Sequence, residues 1–164
     1  MIQHRTNEIA IVEKLRAYLS TEARPCEVVR QNQVSKAPPY PYVSYTVTTP
    51  IVDNRGTYCE SDDGKLYKNL LQTWSFTIQS DDADEAFTLG MKMYDYFSVV
   101  GLTQLTDDGI NVHRVTNLTT RDNLLTIQYE HRQGLDVTFG LLSVIEPDNQ
   151  VSKEKIETMK FKEV

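Results

Sequence analysis

Thr73-Trp74-Ser75-Phe76-Thr77-Ile78-Gln79-Ser80 runs without a break into Asp81-Asp82-Ala83-Asp84-Glu85-Ala86-Phe87, and this junction decides how the chain is read. From Leu70 to Gln79 the residues Leu71, Trp74, Phe76 and Ile78 fall mostly on alternate positions, the period of a strand with one face in a core. At Ser80 the period changes. Asp82 with Glu85 fits a capping box, and the neighbouring acids complement the positive end of a helix dipole. Ala83, Ala86, Phe87, Gly90, Met93, Tyr94 and Phe97 then recur at helical spacing towards an end near Gly101. Phe87, Met93, Tyr94 and Phe97 are expected to pack on the inner face of the sheet beside Trp74 or Phe76.

Upstream, Ile9, Val12, Leu15 and Leu19 predict a helix from about Asn7 to Leu19, with Thr6 or Asn7 as its cap. Pro25 bars its continuation. Two strands are expected next, Cys26 to Val34 around Val28 and Val29, and Tyr42 to Val47. Between them, Ala37-Pro38-Pro39-Tyr40-Pro41 cannot enter a central ladder and reads as an extended linker or sheet edge. Residues 48–68 lack a long apolar period and read as an excursion with Asp63-Gly64 at a hairpin turn.

Downstream, strands are predicted over Ile110 to Asn117, Leu124 to His131 and Leu135 to Ile145, with Arg132-Gln133-Gly134 as the last hairpin turn. The fold class is therefore α+β: a mainly antiparallel sheet packed against two helices, in the order α-β-β-(long loop)-β-α-β-β-β. Residues 1–148 are expected to form one domain, followed by a charged C-terminal arm over 149–164, where Ile156, Met159 and Phe161 could dock on a neighbour.

The length, 164 residues, suits one domain, and 40% apolar with 24% charged residues is ordinary for a globular chain. A net charge of −6 argues against a protein that grips nucleic acid, because phosphate binding needs clustered Lys and Arg. It leaves room for one that surrounds DNA without holding it. No apolar run long enough for a transmembrane helix is present, and the N-terminal residues do not read as a signal peptide. Cys26 and Cys59 form no metal-binding pattern and read as free thiols.

The search for chemistry returns little. His113 and His131 lie on strands expected to be neighbours, but a third ligand at metal spacing is missing. Asp81, Asp82, Asp84 and Glu85 lack the glycine and distal glutamate of a calcium loop, and helix capping explains them. Glu60, Asp62 and Asp63 fit turn chemistry. Tyr40, Tyr42 and Tyr45 near Lys36 could stack on bases, although tyrosines on an edge strand suit an acidic chain better. No phosphate loop, nucleophile elbow or HExxH helix occurs. The reading assigns no catalytic residue, no cofactor and no metal site.

A family resemblance rests on softer features. Pro39-Tyr40-Pro41-Tyr42-Val43-Ser44-Tyr45 leads into a strand; a variable loop follows; then come Thr73 to Ser80 and a helix carrying Ala86 and Met93-Tyr94-Asp95-Tyr96-Phe97. From Asn7 to Glu146 this pattern resembles the neck and tail terminator proteins of tailed bacteriophages. The resemblance implies a structural virion protein, not an enzyme. Its subunits would form a ring, usually a hexamer, that terminates the tail tube and joins it to the head connector. Implied partners are further copies of the chain and the head-connector and tail-tube proteins, with DNA passing through untouched and no membrane involved. The implied location is the virion neck or tail, and the host cytoplasm during assembly. Within residues 48–68, Ile51, Val52, Tyr58, Leu66 and Tyr67 have no evident place in the core and are the candidate subunit interface. Asp53, Glu60, Asp62 and Asp63 are the candidate DNA-facing acids. The competing readings are a small ligand-binding or regulatory α+β module, a nuclease or hydrolase, and a head-completion or tail-tube protein.

Overall fold

The computed structural model describes residues 4–32, 36–52, 58–124 and 129–146. Helix α1 (His4–Leu19) leads into strand β1 (Glu27–Arg30) and strand β2 (Tyr42–Val52). A short β3 (Cys59–Glu60) turns into the long β4 (Leu66–Ser80). Helix α2 (Ala83–Asp95) continues through a π-helical turn (Tyr96–Val100) into α3 (Gly101–Asp107). Strands β5 (Ile110–Val115), β6 (Thr119–Thr120), β7 (Asn123–Leu124) and β8 (Tyr129–Ile145) follow.

The sheet runs β1-β2-β4-β8-β5. β1 is parallel to β2, and every other pairing is antiparallel. β3 extends the β2 edge of β4, while β5, β6 and β7 lie in succession along the free edge of β8. The helices cover one face. Trp74, Phe76 and Ile78 of β4 and Leu135, Val137, Phe139 and Leu141 of β8 are buried there with Ile11, Leu15 and Leu19 of α1. α+β with a mainly antiparallel sheet is the class expected from the sequence.

Several expectations need correction. On α1 the buried line is Ile11, Leu15 and Leu19, and Ile9 is 47% exposed. Two apolar lines share that helix, and the sheet selects one. The helix already includes His4, so Thr6 and Asn7 lie within it and do not cap it. On β4 the core register is Leu70, Trp74, Phe76 and Ile78, with Leu71 on the other face. β2 is flanked on both sides, by β1 and β4, so it is no edge strand, and Tyr45 is buried against Trp74. β1 stops at Arg30; Val34 lies outside the described residues. The 48–68 excursion is narrower than expected, because β2 runs to Val52 and β4 starts at Leu66.

The last hairpin is also misread by the sequence. β8 passes straight through Arg132-Gln133-Gly134, and Gly134 pairs with Thr77 of β4 and Thr119 of β6. The glycine serves a close approach rather than a turn: a Cβ there would lie 2.7 Å from the Arg121 guanidinium. Arg121 donates to Ser75 Oγ at 2.8 Å and Thr77 Oγ1 at 3.1 Å, and pairs with Asp136 Oδ1 at 3.2 Å. The expected strand over Leu124 to His131 is split between β7 and the start of β8, with 125–128 outside the described residues.

Candidate functional site

The β3–β4 hairpin begins with local turn chemistry. Gly64 takes a φ of 75° and its N–H donates to the Ser61 carbonyl at 2.8 Å, while Asp63 Oδ1 accepts from the Lys65 N–H at 3.1 Å. That backbone bond, reinforced by the Tyr67 hydroxyl, holds the Asp63 carboxyl below the usual carboxylate range. Asp63-Gly64 therefore sits at the turn, as read from the sequence. Glu60 and Asp62 are exposed beside it, and Asp53 lies outside the described residues.

Below the hairpin, the ends of β2, β4 and β8, with His4 at the start of α1, border an open apolar groove of about 1140 Å³. The candidate interface residues Ile51, Tyr58 and Tyr67 line it, together with Leu70 and Ile145. Ile51 is 59% exposed. Lys65 Nζ and Glu146 Oε1 pair at 3.1 Å on the rim, and Gln72 Nε2 donates to the Pro50 carbonyl at 2.9 Å. Val52 and Leu66 are not part of this lining. They occupy ladder positions opposite Leu71 and Ile145. The sequence reading missed Ile145 and the exposed Leu142 because it assigned both to the core-forming strand. The available signal for Leu142 was its phase, out of step with Leu135, Val137, Phe139 and Leu141.

A second apolar surface lies on α2. Phe87, Met91 and Tyr94 follow one another at helical spacing, and Phe87 is 56% exposed. This overturns the expectation that Phe87 and Tyr94 pack on the sheet. Met93 and Phe97 are buried there as expected, and Leu89 and Tyr96 take the remaining places. The cause lies in how the helix is docked. Asp82 Oδ1 caps α2 by accepting from the Glu85 N–H at 2.8 Å, but Glu85 does not complete the box. Its carboxylate takes two bonds from Arg24, at 2.7 and 3.0 Å, and one from Ser80 Oγ at 2.6 Å. Those bonds tie the start of α2 to the α1–β1 loop.

The candidate chemical groups are dispersed. His113 is exposed on the bulge of β5 opposite Phe139 and Thr138, whereas His131 pairs with Ser80 near the far end of β8. His131 Nδ1 lies 3.5 Å from Asp122 Oδ2. Burial raises the Cys26 thiol to about 11, which keeps it protonated and unreactive at neutral pH. Tyr40 stacks on Tyr42 with centroids 5.6 Å apart and donates to Glu130 Oε1 at 2.7 Å. Burial and that carboxylate push the Tyr40 hydroxyl up to about 12. Its polar edge is thus engaged within the subunit. Among the described residues, no three His, Cys, Asp or Glu side chains gather as a metal site. No described helix is long and apolar enough to cross a membrane.

Among the described residues, the exposed apolar surface includes a concave patch and a helical one on different parts of the molecule. Compared with known proteins, residues 10–163 match a family model described as phage neck terminator protein. No curated protein shows a significant match.

Proposed function

The chain belongs to the phage neck terminator family, and from that premise we propose that its copies form a closed, hexameric ring that ends the tail tube and joins it to the head connector. As a neck protein it is a structural part of the virion. The observation that carries the ring is the pair of unlike apolar patches. A single patch buried against its own copy makes a two-fold dimer. Two unlike patches permit head-to-tail contacts that close into a ring. Ile51, Tyr58 and Tyr67 in the groove, and Phe87 and Met91 on α2, are surfaces a neighbour would bury, either in the same ring or in the adjoining one. Assembly would proceed in the host cytoplasm, and DNA would pass through without tight binding, consistent with the net charge of −6.

Native mass measurement of the purified chain and electron microscopy of particles made without it test this reading. The expected results are a ring-sized complex at the connector or tube end, and unjoined heads and tails in its absence. Ile51→Asp and Phe87→Ser should each keep the fold by circular dichroism and fail to restore joined particles. A chain that stays monomeric both alone and within the virion would end the ring hypothesis.

A further inference from the structure

Glu146 lines the apolar groove, and the chain runs on directly from it. At about 1140 Å³ the groove exceeds the roughly 300–1,000 Å³ common for small-molecule sites, and it is open to solvent. A length of chain suits it better than a metabolite. Ile51, Tyr58, Tyr67, Leu70 and Ile145 supply its apolar groups, and Ile51 and Ile145 are 59% and 38% exposed. Left uncovered in a free subunit, such a surface invites non-specific association.

Residues 147–164 lie outside the described residues and carry Val151, Ile156, Met159, Phe161 and Val164. Their sequence and their starting point select them as the occupant. Pro147-Asp148-Asn149 are residue types that favour a chain reversal directly after Glu146. Met159 and Phe161 alternate with Lys160 and Lys162, so an extended run would present apolar groups on one side and cations on the other. The surroundings carry the opposite charge: Glu60 and Asp62 are exposed within a few residues of the lining groups Tyr58 and Lys65. Reach is ample, because about 15 residues span up to roughly 50 Å and close a loop at small entropic cost. The tether supplies an effective concentration on the order of millimolar, which favours the subunit's own segment over a separate molecule. The family match extends to residue 163, so it covers Met159 and Phe161. The other stretches adjoining the groove compete poorly: 53–57 holds no apolar side chain, and 1–3 offers Met1 and Ile2.

We propose that residues 147–164 fold back over their own subunit and seat Met159 and Phe161 in the apolar groove, against Ile51, Tyr58 and Ile145, leaving Lys160 and Lys162 towards the hairpin acids Glu60 and Asp62. The segment is then an intramolecular cover for the groove. One consequence rests on the ring reading above: a neighbour that buries the groove has to displace the segment first, so the segment restrains self-association of free subunits. The groove is covered before assembly and buried by a neighbour after it.

Met159→Asp/Phe161→Asp in the full chain tests it. The variant should keep the wild-type circular dichroism, bind more of an apolar dye, and self-associate at a concentration lower by about tenfold or more. A labelled peptide of residues 150–164 should bind this variant about tenfold more tightly than the wild-type chain, whose groove is already filled, and adding Ile51→Asp should abolish that binding. Lys160→Cys keeps both apolar anchors and gives a proximity test, because Cys59 is exposed next to Tyr58 whereas Cys26 is buried. Mild oxidation in dilute solution should join position 160 to Cys59 within one chain, about tenfold faster than when Met159→Asp/Phe161→Asp is also present. Equal peptide binding to wild type and variant, or none to the variant, would overturn the proposal. So would weaker self-association of the variant, or a disulfide formed only between chains, either of which would seat the segment in a neighbour's groove. A chain that stays monomeric in every form ends the ring reading alone; the docking then stands if the peptide binds the variant and falls if it does not.

Discussion

Phe87 and Phe97 share a residue type and one helical segment, yet the first is 56% exposed and the second is fully buried. Phe97 lies with ring centroids 4.9 Å from Phe76 and 5.8 Å from Phe139. Phe97→Ala should therefore cost about 3–5 kcal/mol in chemical denaturation, and Phe87→Ala under about 0.5 kcal/mol. Equal costs would mean the helix is docked on the other face. Glu85 gives a prediction in pH. Its carboxyl is held below its ordinary 4.5, first by hydrogen bonding from Arg24, with burial opposing and Ser80 adding to the lowering. The unfolded chain then binds the proton more readily than the folded one. The contribution is complete above the unfolded value and is lost as pH falls through the folded value. Glu85→Gln should flatten the stability curve below about pH 4.5; an unchanged acid limb would show that the contact carries no linkage.

Among the elements, the junction of α2 and α3 shows why the sequence suggested a stop at Gly101 where none exists. Gly101 keeps a right-handed φ of −80°, and its N–H bonds back to the Tyr96 carbonyl through the π turn. The glycine is needed for contact: a Cβ would lie 2.6 Å from the Tyr96 ring. Gly109, with a φ of 75°, provides the real stop. Gly101→Ala should destabilise by about 1–3 kcal/mol through overpacking. Tyr96→Phe should be neutral or mildly stabilising, because the Tyr96 hydroxyl is buried with no partner among the described residues. A large loss in Tyr96→Phe, measured by thermal unfolding, would reveal a hydrogen bond to that hydroxyl. On β8, Gly134→Ala should cost stability that is partly recovered when Arg121→Ala is added, the coupling expected of groups in direct contact. Additive effects would contradict the stacked arrangement.

For the whole molecule, the acidic balance, a net charge of −6, argues against a DNA-gripping surface. The chain should show no retention of duplex DNA in gel shifts at physiological salt, where a specific binder needs several phosphate contacts. Tight, salt-sensitive retardation would refute that.

Local chemistry made much of this legible in advance. Alternation from Trp74 to Ile78, the Asp82 cap and the Asp63-Gly64 turn depend on neighbours within a few residues, so the α+β class and the principal elements follow from the sequence alone. The apolar residues within the otherwise polar stretch 48–68 also stood out, and Ile51, Tyr58 and Tyr67 among them line the open groove. Tertiary structure decided what local pattern leaves degenerate. Two apolar lines on α1 and two aromatic settings along α2 and its π-helical extension are equally helical, and only docking against the sheet chose Ile11 over Ile9 and Phe97 over Phe87. Gly134 and Gly101 read as breaks because glycine permits a turn, whereas each is required by a side chain distant in sequence or a turn away, Arg121 over one and Tyr96 over the other. The apolar groove joins Ile51 of β2, Tyr67 of β4 and Ile145 of β8, and such a gathering exists only after those strands pair.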